Sequence, residues 1–125
     1  MTTWTSDELA LIEAADELEL AALRRDGMLR KPVTIWVVRH GDDLYARSWR
    51  GPTGIWFRAA QQTHDGRISA GGVEKDVRFV NAGDDVDGSV DVAYRSKYRR
   101  YAGSYLEPML RPQARATTLK LVPRS

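Results

Sequence analysis

Three arginines and one serine lie close together in the chain around two glycines. They are Arg47, Ser48, Arg50 and Arg58, and the glycines are Gly51 and Gly54. Such a set suits a phosphate group, because guanidinium groups and a hydroxyl donate hydrogen bonds and glycine lets backbone amides approach closely. The alternative is that the arginines are solvated or paired with Asp42, Asp43 or Asp65. The residues alone leave a phosphate site and a structural role open.

Three of the four tryptophans, Trp36, Trp49 and Trp56, lie in the same part of the chain. Their flat rings would suit stacking on an aromatic ligand, but tryptophans in a small domain more often fill the core or a dimer interface. We expect Trp36 in the core and leave both roles open for the other two.

Other residues form no recognisable catalytic or metal-binding pattern. His40 and His64 lie in separate predicted turns, without a third ligand at metal spacing and without a serine or cysteine partner. We interpret both as surface turn residues and expect no metal. Glu74 and Asp76 share one side of a predicted strand, which suits a carboxylate pair but equally an ordinary solvated face. We assign no catalysis to them.

The composition limits the possible classes of function. The 125 residues fit one domain with one core. Nineteen Lys and Arg against 17 Asp and Glu give a net charge of +2, a balance too mild to argue for nucleic acid binding. Cysteine is absent, so disulfides and thiolate metal sites are excluded. No apolar run is long enough to span a bilayer, and we expect a cytoplasmic protein without membrane contact.

The elements that must position these residues begin with three predicted strands between Leu18 and Trp49. The strands cover 18–24, 33–38 and 44–49, where inward and outward residues alternate. A period of two in β-branched and aromatic residues is typical of a half-buried strand. Turns are predicted at 25–27 and 41–43, because Gly and Asp tolerate tight turn geometry.

Helices and a second hairpin are predicted around these strands. Thr5 and Glu8 have the spacing of a capping box at the start of a helix over 6–15. The other predicted elements are a helix over 55–62, a hairpin of strands 67–70 and 73–80, a helix from 86 or 89 to 101, irregular chain after 103, and a strand over 116–122. Tyr94, Tyr98, Tyr101 and Tyr105 share one helix face, and we expect them to pack on the sheet.

Several local sequences resemble known families. The run LRRDGMLRKPVTIWVVRHGDDLYARS is similar to pyridoxamine-phosphate-oxidase-like flavoproteins, with a strand, an Asp-Gly turn, a basic residue and Pro, and two further strands. Ser48, Gly51 and Trp56 follow the order of the deazaflavin-dependent nitroreductase branch. Over nearly the whole chain, WVVR, LYARSWRG, GRISAGG, AYRSKY and ATTLKLVPR resemble a bacterial family of unknown function. The resemblance implies a mainly β, antiparallel split β-barrel of the FMN-binding kind with peripheral helices.

The same resemblance implies a flavin- or deazaflavin-binding oxidoreductase-like protein. Its cofactor would be FMN or the deazaflavin coenzyme, bound by Arg47, Ser48, Arg50, Gly51, Trp56 and Arg58. A homodimer is expected, because split-barrel flavoproteins commonly place the cofactor between two subunits and a small domain offers little concave surface alone. The alternative function is a non-catalytic β-barrel that binds a small ligand or a protein partner.

Overall fold

The computed structural model describes residues 3–124. Its strands are β1 (Leu18–Ala22), β2 (Val33–Ile35), β3 (Val38–His40), β4 (Asp43–Ala46), β5 (Asp65–Ala70), β6 (Val73–Asn81) and β7 (Leu119–Pro123). Its α-helices are α1 (Ser6–Ala14), α2 (Ile55–Thr63), α3 (Asp87–Lys97), α4 (Glu107–Leu110) and α5 (Pro112–Arg115). Turns of 3₁₀-helix lie at Gly51–Thr53, Asp84–Val86 and Arg99–Tyr101.

The seven strands form one antiparallel sheet in the order β2-β1-β5-β6-β7-β4-β3. The two edge strands, β2 and β3, are consecutive in the chain, and only Trp36 and Val37 separate them. A connection this short spans at most about 11 Å, so the two edges must lie close together and the sheet must curl. The predicted split β-barrel with peripheral helices is confirmed.

The prediction of one continuous strand over 33–38 is wrong. β2 pairs with β1 whereas β3 pairs with β4, so the chain changes partner at Trp36 and Val37. Side chains at the C-terminal end of α3 and just after it replace the lost ladder bonds. The Tyr98 hydroxyl accepts from the Val37 N–H at 3.2 Å, and Lys97 Nζ donates to the Val37 carbonyl at 2.8 Å. The three predicted strands are therefore four. The end of α3 covers the point where the chain passes from β2 to β3.

Hydrophobic residues fill two cores. The first lies within the curled sheet and is closed by Leu9 and Ile12 of α1. The second lies between α3 and strands β3 and β4 and contains Val38, Tyr45, Val90, Tyr94, Tyr98 and Met109. Trp36 is half-buried and stacks on Tyr98 with the ring centroids 4.0 Å apart. Trp36 thus packs on the second core, with one part left accessible.

Helix positions largely agree with the predictions. Thr5 and Glu8 form the expected capping box at α1. The predicted helix over 86 or 89 to 101 is α3, which ends at Lys97 and continues to Tyr101 as a 3₁₀ turn. The tyrosine stripe packs on the sheet only over its first half, because Tyr105 is 70% exposed.

The last strand begins later than predicted, at Leu119 instead of residue 116. Thr117 and Thr118 hold the preceding turn, since their hydroxyls donate to the carbonyls of Ala114 and Arg115 at 2.7 and 2.8 Å. Such local bonds compete with a strand ladder. The stretch predicted as irregular contains the short helices α4 and α5, each with proline in its first turn.

Candidate functional site

The loop from Ser48 to Gly54 sets the position of α2. The Gly51 N–H donates to the Ser48 carbonyl at 2.9 Å, and the Gly54 N–H donates to the Gly51 carbonyl at 3.0 Å. Gly51 has φ +71°, a conformation that favours glycine. A Cβ on Gly54 would lie 2.2 Å from Ser48 Oγ and 3.3 Å from the Gly51 carbonyl oxygen, so a larger residue here would displace the buried serine or the loop. Ser48 and Gly51 therefore fix where α2, with Trp56, begins.

Arg47 lies beside this loop but points into the protein. Its side chain is fully buried, and its five N–H donors have five acceptors. Nε donates to Thr118 Oγ1 at 2.9 Å, Nη1 to Asp91 and the Met109 carbonyl at 2.5 and 3.0 Å, and Nη2 to the carbonyl and carboxylate of Asp87 at 3.2 and 3.4 Å. No donor is left for a phosphate, so the expected role of Arg47 as a ligand group is replaced by a structural one.

We call Arg47, Asp87, Asp91 and Arg115 the buried ion cluster. Arg115 Nε lies 3.4 Å from Asp91, so two arginines balance two aspartates. The Arg47 guanidinium lies 5.4 Å from the ring centre of Tyr94, whose pKa is raised by burial. Because its members and their partners come from the residue after β4, from α3, α4 and α5, and from the chain before β7, the cluster ties these segments together.

A cavity of about 460 Å³, which we call cavity A, lies between α2, β1 and the start of β2. Its walls combine apolar and cationic side chains, chiefly Leu20, Ile55, Trp56, Arg30, Lys31 and Arg58. Arg30 donates to Gln62 Oε1 of α2 at 3.0 Å. The predicted residues Trp56 and Arg58 thus meet in one cavity, one as a wall and the other as a cation.

The three cations of cavity A differ from most others in the chain. Within residues 3–124, Arg30, Lys31 and Arg58 have no carboxylate within 4.0 Å. The arginines that do have one are Arg24, Arg39, Arg47, Arg67, Arg78, Arg100, Arg115 and Arg124. Three neighbouring cations without acidic partners beside an apolar wall favour an anion with an apolar part.

Sequence reasoning missed Arg30 and Lys31 as site residues. They are distant in sequence from Arg58, and the turn at 25–27 brings them back along β1. The Arg30 N–H donates to the Ala22 carbonyl at 2.9 Å, and Leu23 pairs with Leu29. The signal in the sequence is the basic pair before Pro32, directly after an Asp-Gly turn.

Arg50 is separated from cavity A. It is exposed, and its guanidinium lies over the Trp49 ring at 5.0 Å from the ring centre. The six predicted residues therefore divide into three groups: Trp56 and Arg58 in cavity A, Ser48 and Gly51 in the loop that positions α2, and Arg47 and Arg50 directed elsewhere.

A second cavity of about 400 Å³, which we call cavity B, adjoins cavity A at Trp56, which lines both. Its other walls include Trp36, Trp49, Tyr105, Pro108 and Met109. Trp49 is 56% exposed, so Trp49 and Tyr105 present large aromatic surface to solvent. The sequence left stacking on an aromatic ligand open for Trp49 and Trp56, and it did not indicate that Tyr105 lies beside them. The chain between Tyr101 and α4 places Tyr105 beside the tryptophans.

The remaining candidate residues have structural roles. His64 ends α2 in the left-handed conformation with φ 60°, half-buried, and its Nδ1 lies 3.2 Å from the Phe79 carbonyl. Glu74 and Asp76 both pair with Arg67 on the exposed face of the sheet. Residues 3–124 contain no group of three or more potential metal ligands. No helix in this range is long and apolar enough to cross a membrane.

Comparison with protein families finds one match. Residues 8–121 match the model of a family described as an uncharacterised protein conserved in bacteria, DUF2255. No curated protein matches the chain.

Solved structures share the fold at low sequence identity. A protein of unknown function from Agrobacterium tumefaciens has a TM-score of 0.66 at 12% identity; the match covers 98% of this chain but only 55% of that longer protein. An FAD-binding protein from Mesorhizobium loti has a TM-score of 0.60 at 16% identity, covering 98% and 92% of the two chains. An F420 reductase has a TM-score of 0.55 at 21% identity, covering 92% and 90%. The predicted resemblance to split-barrel flavoproteins is confirmed at the level of the fold.

Proposed function

The chain belongs to DUF2255, a family of uncharacterised bacterial proteins, and we propose that it binds a flavin-type cofactor, FMN or a deazaflavin coenzyme, in cavity A. The observation that carries this proposal is the trio of Arg30, Lys31 and Arg58, which lack acidic partners within residues 3–124 and stand beside Trp56. The solved structures that share the fold include an FAD-binding protein and an F420 reductase, which supports this class of ligand.

The walls of cavity A suit the two parts of such a cofactor. A phosphate carries negative charge and several acceptor oxygens, which the two guanidinium groups and the ammonium group would bind. Trp56, Ile55 and Leu20 would contact the apolar ring system. The cofactor would supply hydride chemistry, and the chain would bind and orient it. This makes an oxidoreductase-like function the one that the cavity supports best.

The other predicted residues have graded roles in this proposal. Ser48 and Gly51 hold the start of α2 and thereby position Trp56 and Arg58. Arg50 contributes at most long-range attraction, since it lies over Trp49 and does not line cavity A. Arg47 is left out, because its donors are used within the buried ion cluster.

The test is titration of the purified protein with FMN, with a deazaflavin coenzyme and with riboflavin, which has the ring of FMN but no phosphate. FMN should bind more tightly than riboflavin. Arg58→Ala should weaken FMN binding by about tenfold or more, because a charged hydrogen bond is lost, while riboflavin binding changes little. Arg50→Ala should weaken FMN binding much less. Melting temperatures measured beside the affinities separate ligand effects from stability effects.

Arg99→Ala is the matched control, since Arg99 is an exposed arginine that lines neither cavity and has no acid within 4.0 Å among residues 3–124. It removes the same charge and should leave FMN affinity unchanged. Equal losses of FMN affinity in Arg99→Ala and Arg58→Ala would show that the effect of Arg58→Ala comes only from the change in net charge. Absence of binding by all three ligands would contradict the proposal and favour a non-catalytic barrel with another partner.

We also propose a homodimer in solution. Ile55, Trp49 and Tyr105 are 84%, 56% and 70% exposed at the rims of the two cavities. Apolar surface that surrounds a ligand cavity suits coverage by a second subunit. Light scattering at micromolar concentration should give twice the mass of 14.1 kDa, and a strictly monomeric mass would contradict this expectation.

A further inference from the structure

The walls of cavity B are mostly apolar, and four of the ten lining residues are aromatic. Trp36, Trp49, Trp56 and Tyr105 line it together with Pro108 and Met109. Trp36 is held in place by its stacking on Tyr98, where the two rings are 4° from parallel. Planar rings fixed in this way offer stacking surface without first having to be ordered.

Cavity B contains no free charged group among residues 3–124. Within this range Arg47 is its only charged lining residue, and all five of its N–H donors are engaged within the protein. The Thr34 hydroxyl donates to Glu19 at 2.8 Å, so the other polar side-chain groups of the lining residues are the uncharged hydroxyls of Ser104 and Tyr105 and the indole N–H groups of Trp36, Trp49 and Trp56. An anionic ligand group would lose its hydration here without gaining a cationic partner, and a cationic one would meet no carboxylate among the lining residues.

We propose that cavity B is a binding site for uncharged planar aromatic compounds. Its volume of about 400 Å³ lies in the range of small-molecule sites. Because Trp56 lines both cavities, such a compound would lie beside the ligand of cavity A. The role of cavity B as the substrate cavity rests on the proposed function of cavity A, whereas binding itself can be measured without a cofactor.

The test uses menadione, an uncharged naphthoquinone, with the naphthoquinone sulfonate and tetramethylammonium as charged probes. The chain has no cysteine, so no thiol can capture the quinone. The four tryptophan indole N–H groups give separate reporters in ¹⁵N-labelled protein. Menadione should shift the signals of Trp36, Trp49 and Trp56 saturably. The Trp4 indole N–H, which donates to the Leu121 carbonyl at 2.9 Å in the core, is the internal control and should not move.

Two substitutions test the walls directly. Trp49→Ala and Tyr105→Ala should each weaken menadione binding by about tenfold, because each removes an aromatic contact from exposed positions that the fold does not need. Val92→Ala is the control, since Val92 is 63% exposed on α3 and lines neither cavity. The sulfonate should bind about tenfold more weakly than menadione.

Several results would overturn the proposal. They are an absence of saturable shifts, equal affinity for the sulfonate, tighter binding of tetramethylammonium, or unchanged affinity in both aromatic variants. The proposed homodimer can shift the Trp49 signal with protein concentration, but loss of menadione binding at the concentrations where the dimer forms would show that a second copy of the chain fills cavity B itself. Menadione binding without FMN binding would support cavity B while contradicting the function proposed for cavity A. FMN binding without menadione binding would contradict cavity B alone.

Discussion

The buried ion cluster and the cations of cavity A use the same kinds of side chain for opposite purposes. Arg47 is fully buried, and every donor has an acceptor within the protein. Arg30, Lys31 and Arg58 line an open cavity and have no acid within 4.0 Å among residues 3–124. A guanidinium whose donors are all engaged inside the protein has none left for a ligand, whereas a cation without an acidic partner at a cavity is available to an anion.

The largest effect expected from this difference is loss of stability on removing Arg47. Arg47→Met keeps a long apolar side chain but leaves Asp87 and Asp91 without their main partner. Breaking a buried ion pair from one side costs about 3–5 kcal/mol of the free energy of unfolding. Urea denaturation followed by circular dichroism measures the change.

Arg67→Ala provides the comparison for Arg47→Met. Arg67 also pairs with two acids, Glu74 and Asp76, but on the exposed face of the sheet, so its removal should change the urea midpoint very little. A similar midpoint shift in both variants would mean that burial does not distinguish the two clusters.

Gly54→Ala should have an intermediate effect on stability. It also affects cavity A, because Gly54 directly precedes α2. The added Cβ would lie 2.2 Å from Ser48 Oγ, so the loop must shift. We expect a loss of about 1–3 kcal/mol in the free energy of unfolding. FMN affinity should also fall, because Trp56 and Arg58 follow Gly54 in α2.

Ser48→Ala in the Gly54→Ala background is the rescue variant. It removes the hydroxyl that causes the closest contact and leaves the Ser48 Cβ position at an ordinary distance of 3.4 Å. Thermal and urea unfolding should therefore recover in part. If the double variant is as unstable as Gly54→Ala, the close contact with Ser48 Oγ is not what requires glycine at this position.

Sequence patterns predicted most of the strands, because side chains alternate along them and the turns carry Gly and Asp, whereas the split barrel itself was implied by the resemblance to known flavoproteins. Sequence patterns could not predict the break at Trp36 and Val37, because every residue from 35 to 38 is β-branched or aromatic and suits a strand. Only the exchange of strand partners, from β1 to β4, interrupts the ladder there. Local periodicity records which face is buried and not which strand is the neighbour.

The site was only partly predictable for a related reason. Arg47 and Arg58 look equivalent in the sequence, and their difference depends on Asp87 and Asp91, which are 40 and 44 residues away from Arg47. Arg30 lines the same cavity as Arg58 only because the turn at 25–27 folds the chain back beside the end of β1. Partners that are distant in sequence decide whether a cation is free, so spacing alone left the choice open.

Lys97 is a third kind of cation and gives the smallest expected effect. Its ammonium group donates to the carbonyls of Val37 and Ile12, at 2.8 and 3.5 Å. The acceptors of Arg47, in contrast, include two carboxylates. Burial lowers the pKa of Lys97 to about 8, and the charges of Glu13 and Asp16 oppose this only in part. Carbonyl dipoles thus compensate the charge less completely than the buried ion cluster does.

The sign of the pH dependence follows from this lowered pKa. Below pH 8 Lys97 is charged in both states, and the cost of burying the charge is fully present. Above pH 8 the folded protein has released the proton while the unfolded chain, with its ordinary lysine pKa of 10.5, still holds it. The unfolding free energy should therefore rise with pH, by about 1 kcal/mol up to pH 10 after allowance for partial solvent exposure. Above pH 10 it should fall, because burial raises the pKa values of Tyr94 and Tyr98 and only the unfolded chain releases their protons.

Urea unfolding of the parent and of Lys97→Met from pH 7 to 10 measures the difference, and the variant should lack the rise. Parallel curves for the two proteins would place Lys97 with the fully compensated cations.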